Sequence, residues 1–505
     1  MKLTFHDGAS CIGGNKIELN SGNDTLFLDF GTNIGRAKQY FDSFLQPRTK
    51  TGLLDYYTLG LIPKLSDGIY RRDLEPHADT TNNGITGLLL SHAHLDHAGM
   101  ISMLDYDIPI ITTYTTAAIL KAIQDTSNGK NEYTYLSTRE FDGETFVTIR
   151  NTAYIQRKYF CMGPRAESFN DFWITRFISE KSRPMNYQST EHIGSSFRLG
   201  ELNVRCWEVD HSIPGACAFA IETEVGWVVY TGDLRLHGKN SSKTQKFIEE
   251  ASELKPFALI TEGTHPDIEK ATTEEEVFNN ISQILPNLNG LVIADFGPRN
   301  IERLISFHNA SKNVTRKLAI TVKDAYILFS IACTGDKEIL KLISDEYTVL
   351  YQDKNSKPRK WEEEMYSLFE GRTINANDVN AQPDKYVLSF SYTDMSKLID
   401  INVLGGHYIY SSSELYDEEQ EYDFNRLRKW LETFHLELHG DPKEKNEERL
   451  RFHSGGHMDG QGFRYMINEI RPQYLIPIHS FNRSFFSEFD FCETILPENG
   501  QSIIF

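Results

Sequence analysis

The sequence predicts an α/β protein in which a strand-rich frame is interrupted by a smaller unit of alternating helices and strands. Three observations predict this. Short apolar runs with turn chemistry between them dominate the first third. After about residue 265 such runs alternate with helical patterns, and a last strand pattern, at 474–478, follows a charged stretch.

In chain order, the runs 16–19 and 25–30 are joined by Asn20-Ser21-Gly22-Asn23-Asp24, which has hairpin chemistry. The run 85–90 leads straight into His92. The run 202–209 partly alternates, 217–221 and 227–230 read as a hairpin, and 257–261 reads as a buried strand. Thr272-Thr273 ahead of Glu274-Glu275-Glu276 is a helix start, with capping oxygens followed by acids in the first turn. Strands are expected at 291–296, 318–322, 348–351 and 386–390. The unit closes near 441–448, whose charges read as solvated surface. The segment 125–188 stands apart, rich in aromatic and basic residues (Arg157-Lys158-Tyr159-Phe160, Arg165, Phe172-Trp173) without clear periodicity. It reads either as a surface insertion with its own small core or as a wall of rings stacked beside Arg and Lys.

At 505 residues, two to four domains are expected, and 40% apolar with 12% aromatic residues is ample for folded cores. The start, Met1-Lys2-Leu3-Thr4-Phe5-His6-Asp7-Gly8, lacks the apolar stretch of a signal peptide. No later run approaches the ~18 apolar residues of a membrane span. The six cysteines are scattered with no C-x-x-C pair, so neither a disulfide framework nor a thiolate zinc site is suggested, and a cytoplasmic location is expected. A net charge of −19 argues against coating nucleic acid by bulk charge. It leaves room for a local basic cleft, or for metal ions supplying positive charge where the chemistry occurs.

The chemistry concentrates in Ser91-His92-Ala93-His94-Leu95-Asp96-His97. Alternate residues of an extended segment point the same way, so His92 and His94 can ligate one ion, while Asp96 and His97 face a second after the chain turns. Imidazole and carboxylate suit zinc, with manganese or iron as alternatives. Two ions about 3.5–4 Å apart stabilise both attacking and leaving oxygens of a displacement. Chance would produce H-x-H-x-[DE]-H in roughly 0.2% of chains of this composition. His211, Asp233 and His479 each stand where a strand pattern meets a loop, which suits ligands on a rigid scaffold, and Asp233 can bridge both ions.

This set resembles the metallo-β-lactamase superfamily, and Asp29 in Leu28-Asp29-Phe30-Gly31 matches the family's aspartate behind the metal loop. The match sharpens to the β-CASP nucleases and, within them, to the ribonuclease J family. It is carried by Cys11-Ile12-Gly13-Gly14-Asn15, His211-Ser212-Ile213-Pro214, Tyr230-Thr231-Gly232-Asp233, Ile260-Thr261-Glu262, His453-Ser454-Gly455-Gly456-His457, Pro477-Ile478-His479 and Pro497-Glu498-Asn499-Gly500. The resemblance implies a metallo-β-lactamase αββα sandwich over 1–265 and 446–505, with 125–188 inserted, and a β-CASP α/β domain over 266–445. It implies two divalent ions on His92, His94, Asp96, His97, His211, Asp233 and His479. Asp96, Glu262 and His457 are the implied catalytic residues, with His457 in the place of the family's general-acid or substrate-contacting histidine.

His453 and His457 flank a Ser-Gly-Gly that can approach a phosphate closely, making His453, Ser454 and Gly455 candidate phosphate contacts. Here the chain departs from the family's H-x-S-G-H by moving the serine one place, so a 5′-end preference is not carried over. A histidine at 479 is typical of RNA-processing members. The expected function is therefore hydrolysis of RNA phosphodiesters, with single-stranded RNA as partner and no membrane. The rivals are a DNA nuclease of the same architecture, a small-molecule hydrolase of the same fold, and a scaffold that retains its site. The stretch after His479 is too short for the C-terminal domain by which ribonuclease J commonly associates, and oligomeric assembly stays open.

Overall fold

The computed structural model describes residues 1–505 except 43, 67, 76–83, 128–130, 150–152, 176–184, 187–189, 355–356, 413–417 and 445–449. Two compact units are present. One comprises Met1–Leu236, Asn240–Lys270 and His457–Phe505, the other His237–Lys239 and Ala271–Gly456. The junction expected at 445/446 lies outside the described residues.

The first unit is built on two sheets. In one, eight strands run in the order Glu191–His192, Tyr159–Met162, Ile110–Thr113, Gly87–Leu89, Asp24–Phe30, Lys16–Ser21, Lys2–Asp7, Gln501–Ile504. In the other, seven run Ser196–Leu199, Leu202–Glu208, Cys217–Thr223, Gly226–Tyr230, Ala258–Glu262, Tyr474–Ile478, Glu493–Thr494. Both expected hairpins form. Ser21 pairs with Asp24 around a tight turn with Gly22 at φ 58°, and Thr223 pairs with Gly226. Leu3, Phe5, Leu19, Leu26 and Leu28 of the first sheet meet Val204, Phe219, Ile221, Val228 and Ile476 of the second in one buried cluster. Each such side chain contributes roughly 1.5–3 kcal/mol by leaving water.

Helices Ser241–Glu253 and Gly460–Ile470 cover the outer face of the second sheet through Phe247, Ile248, Phe463 and Ile467. Helix Tyr114–Thr126 packs on Ile110–Thr113 and Tyr159–Met162, and its buried residues are absent from the inter-sheet cluster, so it lies on the outer face.

Strand direction decides where chemistry can sit. Asp24–Phe30, Gly87–Leu89 and Ile110–Thr113 are mutually parallel, as are Gly226–Tyr230, Ala258–Glu262 and Tyr474–Ile478. Asp29, His92, Asp233, Glu262 and His479 therefore all stand at carboxyl ends of parallel strands, where open α/β sheets present loops to ligands.

Part of 125–188 packs into the first unit. Phe169, Phe172 and Trp173 are buried, with Trp173 stacked on Phe169 and edge-on to Tyr159, so these rings are not available to stack on a substrate. Arg157 is buried too, its guanidinium donating to the carbonyls of Leu104, Asp105 and Glu132. The segment also contributes strand Tyr159–Met162 to the eight-stranded sheet. Its remaining stretches, 128–130, 150–152, 176–184 and 187–189, lie outside the described residues.

The second unit is a seven-stranded parallel sheet in the order Thr373–Ile374, Thr348–Tyr351, Lys317–Ile320, Tyr386–Ser389, Val292–Asp295, Gly406–Tyr410, Leu436–His439. Its central strands are buried along their length, which is why they read as plain apolar runs. Helix Glu274–Ile284 starts where expected, with Thr273 and Glu276 forming a capping box. The strand expected at 318–322 stops at Ile320, because Thr321 caps helix Val322–Ala332 in a second capping box with Asp324.

Burial pushes the Asp324 carboxyl up to about 7, against hydrogen bonds from the Thr321 hydroxyl and amide. Folding thus favours the neutral acid, so this contribution is present below the unfolded value and declines as pH rises through about 7. Asp324→Asn, which keeps an acceptor, is expected to raise the urea midpoint of this unit at pH 8 and to leave it unchanged at pH 4. An equal effect at both pH values would contradict this. Among the described residues no helix is long and apolar enough to cross a membrane, and all six cysteines are free.

Candidate metal centre

The seven residues expected to ligate metal converge within the first unit. His92, His94, His211 and Asp233 form one group, and Asp96, His97, Asp233 and His479 another, with Asp233 common to both. A third group adds Glu262 and His457 to Asp233 and His479. In the first group His94 Nδ1 lies 3.1 Å from both His92 Nε2 and His211 Nε2, and Asp233 Oδ2 lies 3.6 and 3.9 Å from those two nitrogens. In the second, His97 Nε2 is 3.1 Å from Asp233 Oδ2, and His479 Nε2 is 3.2 Å from Asp96 Oδ2. Tetrahedral zinc with 2.0–2.1 Å bonds sets its ligand atoms about 3.3 Å apart, close to this spacing.

The hydrogen bonds behind these rings decide what they present inward. Asp29 Oδ2 accepts from His97 Nδ1 at 2.6 Å, from Ser91 Oγ at 2.6 Å and from Tyr230 at 2.5 Å. With its proton committed to Asp29, Ser91 Oγ accepts from His92 Nδ1 at 2.9 Å. Thr264 Oγ1 donates to Glu262 Oε2 at 2.6 Å and so accepts from His479 Nδ1 at 2.9 Å. His92, His97 and His479 thus each turn a lone pair on Nε2 toward the array, the arrangement of metal-ligating histidines with anchored second nitrogens.

The residues present fit a bound cation. Both carboxylate oxygens of Asp233 and Nε2 of His97 are buried without a hydrogen-bond partner; the 3.1 Å approach between the two residues lacks hydrogen-bond alignment. Lone pairs of His479 and Asp96 face each other across 3.2 Å, which requires positive charge between them.

The electrostatics agree. Burial, reinforced by His97, holds His92 well below the ordinary imidazole range, which favours the neutral ring. Burial opposes protonation of His97, but Asp233, Asp96 and Asp29 together push it well above that range, a measure of how strongly the carboxylates draw positive charge inward.

The loop carrying the first four residues is held through its backbone. The Asp96 carbonyl accepts from the amides of Gly14 and Asn15, and the Leu95 carbonyl from Thr32. A Cβ on Gly31 would lie 1.7 Å from the Asp96 carbonyl oxygen, so only glycine allows this approach. Gly31→Ala is expected to cost about 1–3 kcal/mol by overpacking and to lower the metal retained after dialysis. Urea unfolding and elemental analysis check this, and wild-type values for both would contradict the geometry. Asp29 and His479 adopt left-handed φ values of 56° and 51°, backbone strain of the kind that gathers at functional sites.

Glu262 and His457 form a pair beside the array, with His457 Nδ1 donating to Glu262 Oε2 at 2.9 Å. Burial opposes protonation of His457, but Glu262 and Asp233 outweigh it and push the ring up to about 9. The candidate phosphate contacts belong to the second unit. There the Ser454 carbonyl accepts from Arg303, His453 Nδ1 lies 3.3 Å from the Ser411 carbonyl, and the Gly455 carbonyl accepts from His237. Sequence reasoning missed the roles of Ser91, Tyr230 and Thr264. The first two adjoin or lie inside motifs already singled out, and Thr264 stands two residues beyond Glu262, but hydroxyls acting across strands leave no spacing signal.

A two-sheet sandwich with a His/Asp array at its strand ends, interrupted in sequence by a parallel α/β unit, is a mixed α/β architecture consistent with the metallo-β-lactamase/β-CASP fold of ribonuclease J homologues. Over 411 residues, 80% of its length, the chain is 22% identical to ribonuclease J of Mycoplasma genitalium, of which the match spans 59%. It is 24% identical over 289 residues, 56% of its length, to ribonuclease J of Mycoplasma pneumoniae, spanning 47% of that protein. The chain thus spans about half the length of these curated relatives. A crystal structure of a protein of unknown function from Enterococcus faecalis V583 superposes with a TM-score of 0.67 at 23% identity, covering 100% of this chain and 99% of that one. No family model matches the sequence.

Proposed function

We propose that the chain is a metal-dependent ribonuclease that hydrolyses phosphodiester bonds in single-stranded RNA with two divalent ions, zinc in the first place. The observation that carries this reading is the pair of His/Asp groups sharing the buried, otherwise unpartnered Asp233. Similarity to proteins named ribonuclease J supports RNA as the substrate.

Ions held by His92, His94, Asp96, His97, His211, Asp233 and His479 supply Lewis acidity for activating water and stabilising charge on phosphate oxygens. The chain's own residues do the rest. Asp29 anchors the metal loop through Ser91 and His97, and Thr264 orients His479. Asp96 takes the proton of the attacking water. His457, steadied through Nδ1 by Glu262, delivers a proton from Nε2 to the leaving oxygen. A cytoplasmic location belongs to the same reading.

The test is a substrate panel. With zinc or manganese added, the purified chain is expected to cut single-stranded RNA faster than DNA of the same sequence. Untouched RNA together with cleavage of DNA, a lactone or a thioester would overturn the assignment.

A further inference from the structure

A separate group of two histidines and a glutamate with closely spaced donor atoms stands in the sheet of the second unit, made of residues the proposed reaction does not use. His407 lies on strand Gly406–Tyr410; Glu437 and His439 lie on strand Leu436–His439, at the sheet edge. The two strands pair in parallel, with His407 opposite Glu437 and Ile409 opposite His439. Side chains alternate along a strand, so this register places all three on one face.

His407 Nδ1 lies 3.1 Å from His439 Nε2 and 3.3 Å from Glu437 Oε2, and all three donor atoms fall within 4.8 Å of one another. Those separations match the roughly 3.3 Å ligand edges of tetrahedral zinc. One cation between them would satisfy all three donor atoms.

We propose that His407, Glu437 and His439 form a zinc site of two nitrogens and one carboxylate oxygen, separate from the metal centre of the first unit. Glu437 is the exposed member, its side chain 67% accessible, and offers a charged route by which an ion enters. Three protein ligands leave a fourth position for water or a further donor. The consequence is mechanical. A four-residue edge strand, paired on one side only, becomes fastened to its neighbour by an ion as well as by its ladder.

Zinc chloride titrated into the full chain, followed by equilibrium dialysis and elemental analysis, tests this. The wild type is expected to hold one more zinc per chain than His407→Gln/His439→Gln. Glu437→Gln, at an exposed position, is expected to weaken that last equivalent about tenfold or more with an unchanged far-UV spectrum. Equal zinc content in the wild type and the folded double variant overturns the site. Should the double variant not fold, Glu437→Gln decides: a weaker last equivalent supports the site, and an isotherm identical to wild type overturns it.

Discussion

Replacing Asp96 and His97 together by alanine is expected to lower RNA cleavage by at least about a thousandfold while leaving the chain folded. Asp96 Oδ2 faces His479 Nε2, and His97 Nε2 faces Asp233 Oδ2, so the change strips two of four donors from one group. It leaves His92, His94 and His211 with Asp233 in the other. Elemental analysis should accordingly show a chain that keeps part of its metal and has lost the rest. The loss of His97 also removes one of the four hydrogen bonds to Asp29, but those from the Ser91 amide and hydroxyl and from the Tyr230 hydroxyl remain, which is why the fold is expected to survive. A folded double variant with wild-type cleavage and metal content would refute the assignment of these residues.

Arg303→Met is expected to be the most damaging single change in the second unit, costing about 3–5 kcal/mol. The guanidinium is fully buried and makes two hydrogen bonds to Glu274, with others to the carbonyls of Ser411, Phe452 and Ser454 and the hydroxyl of Ser411. Methionine fills much of the same volume but removes both hydrogen bonds that the Glu274 carboxylate receives from the guanidinium. Removing the carboxylate as well, in Arg303→Met/Glu274→Met, should recover part of the loss, because a buried carboxylate that has lost the guanidinium's compensating charge is costlier than the missing bonds alone. Urea unfolding monitored on the second unit reads both. A single variant within about 0.5 kcal/mol of wild type would show that the pair is not a structural anchor.

How far the sequence carried this picture differs from residue to residue. His92, His94, Asp96 and His97 were legible as one cluster because their spacing is local and written directly in the chain. His211, Asp233 and His479 were legible as polar residues at the ends of strand patterns, since the two sheets send several carboxyl ends to one place. Ser91, Tyr230 and Thr264 were not, because each acts through a hydroxyl on a residue brought near only by the tertiary fold.

Strands follow the same division. The run 348–351 is buried throughout and reads plainly, whereas Gly406–Tyr410 and Leu436–His439 carry His, Gly and Glu near the sheet edge and give no apolar period. The aromatic and basic residues of 125–188 were ambiguous for another reason. Composition does not tell a ring that stacks on a ligand from one that fills a core, and it is burial that assigns Phe172, Trp173 and Arg157 to the core.

The central claim is that the array around Asp233 binds metal and that RNA hydrolysis depends on it. Single-stranded RNA cleavage by the purified full chain, stripped by a chelator and then titrated with zinc or manganese, tests this most directly. The expected result is an inert stripped protein whose activity returns in proportion to the metal rebound, and does not return in Asp96→Ala/His97→Ala. Cleavage by the stripped protein at the rate of the loaded one would contradict it.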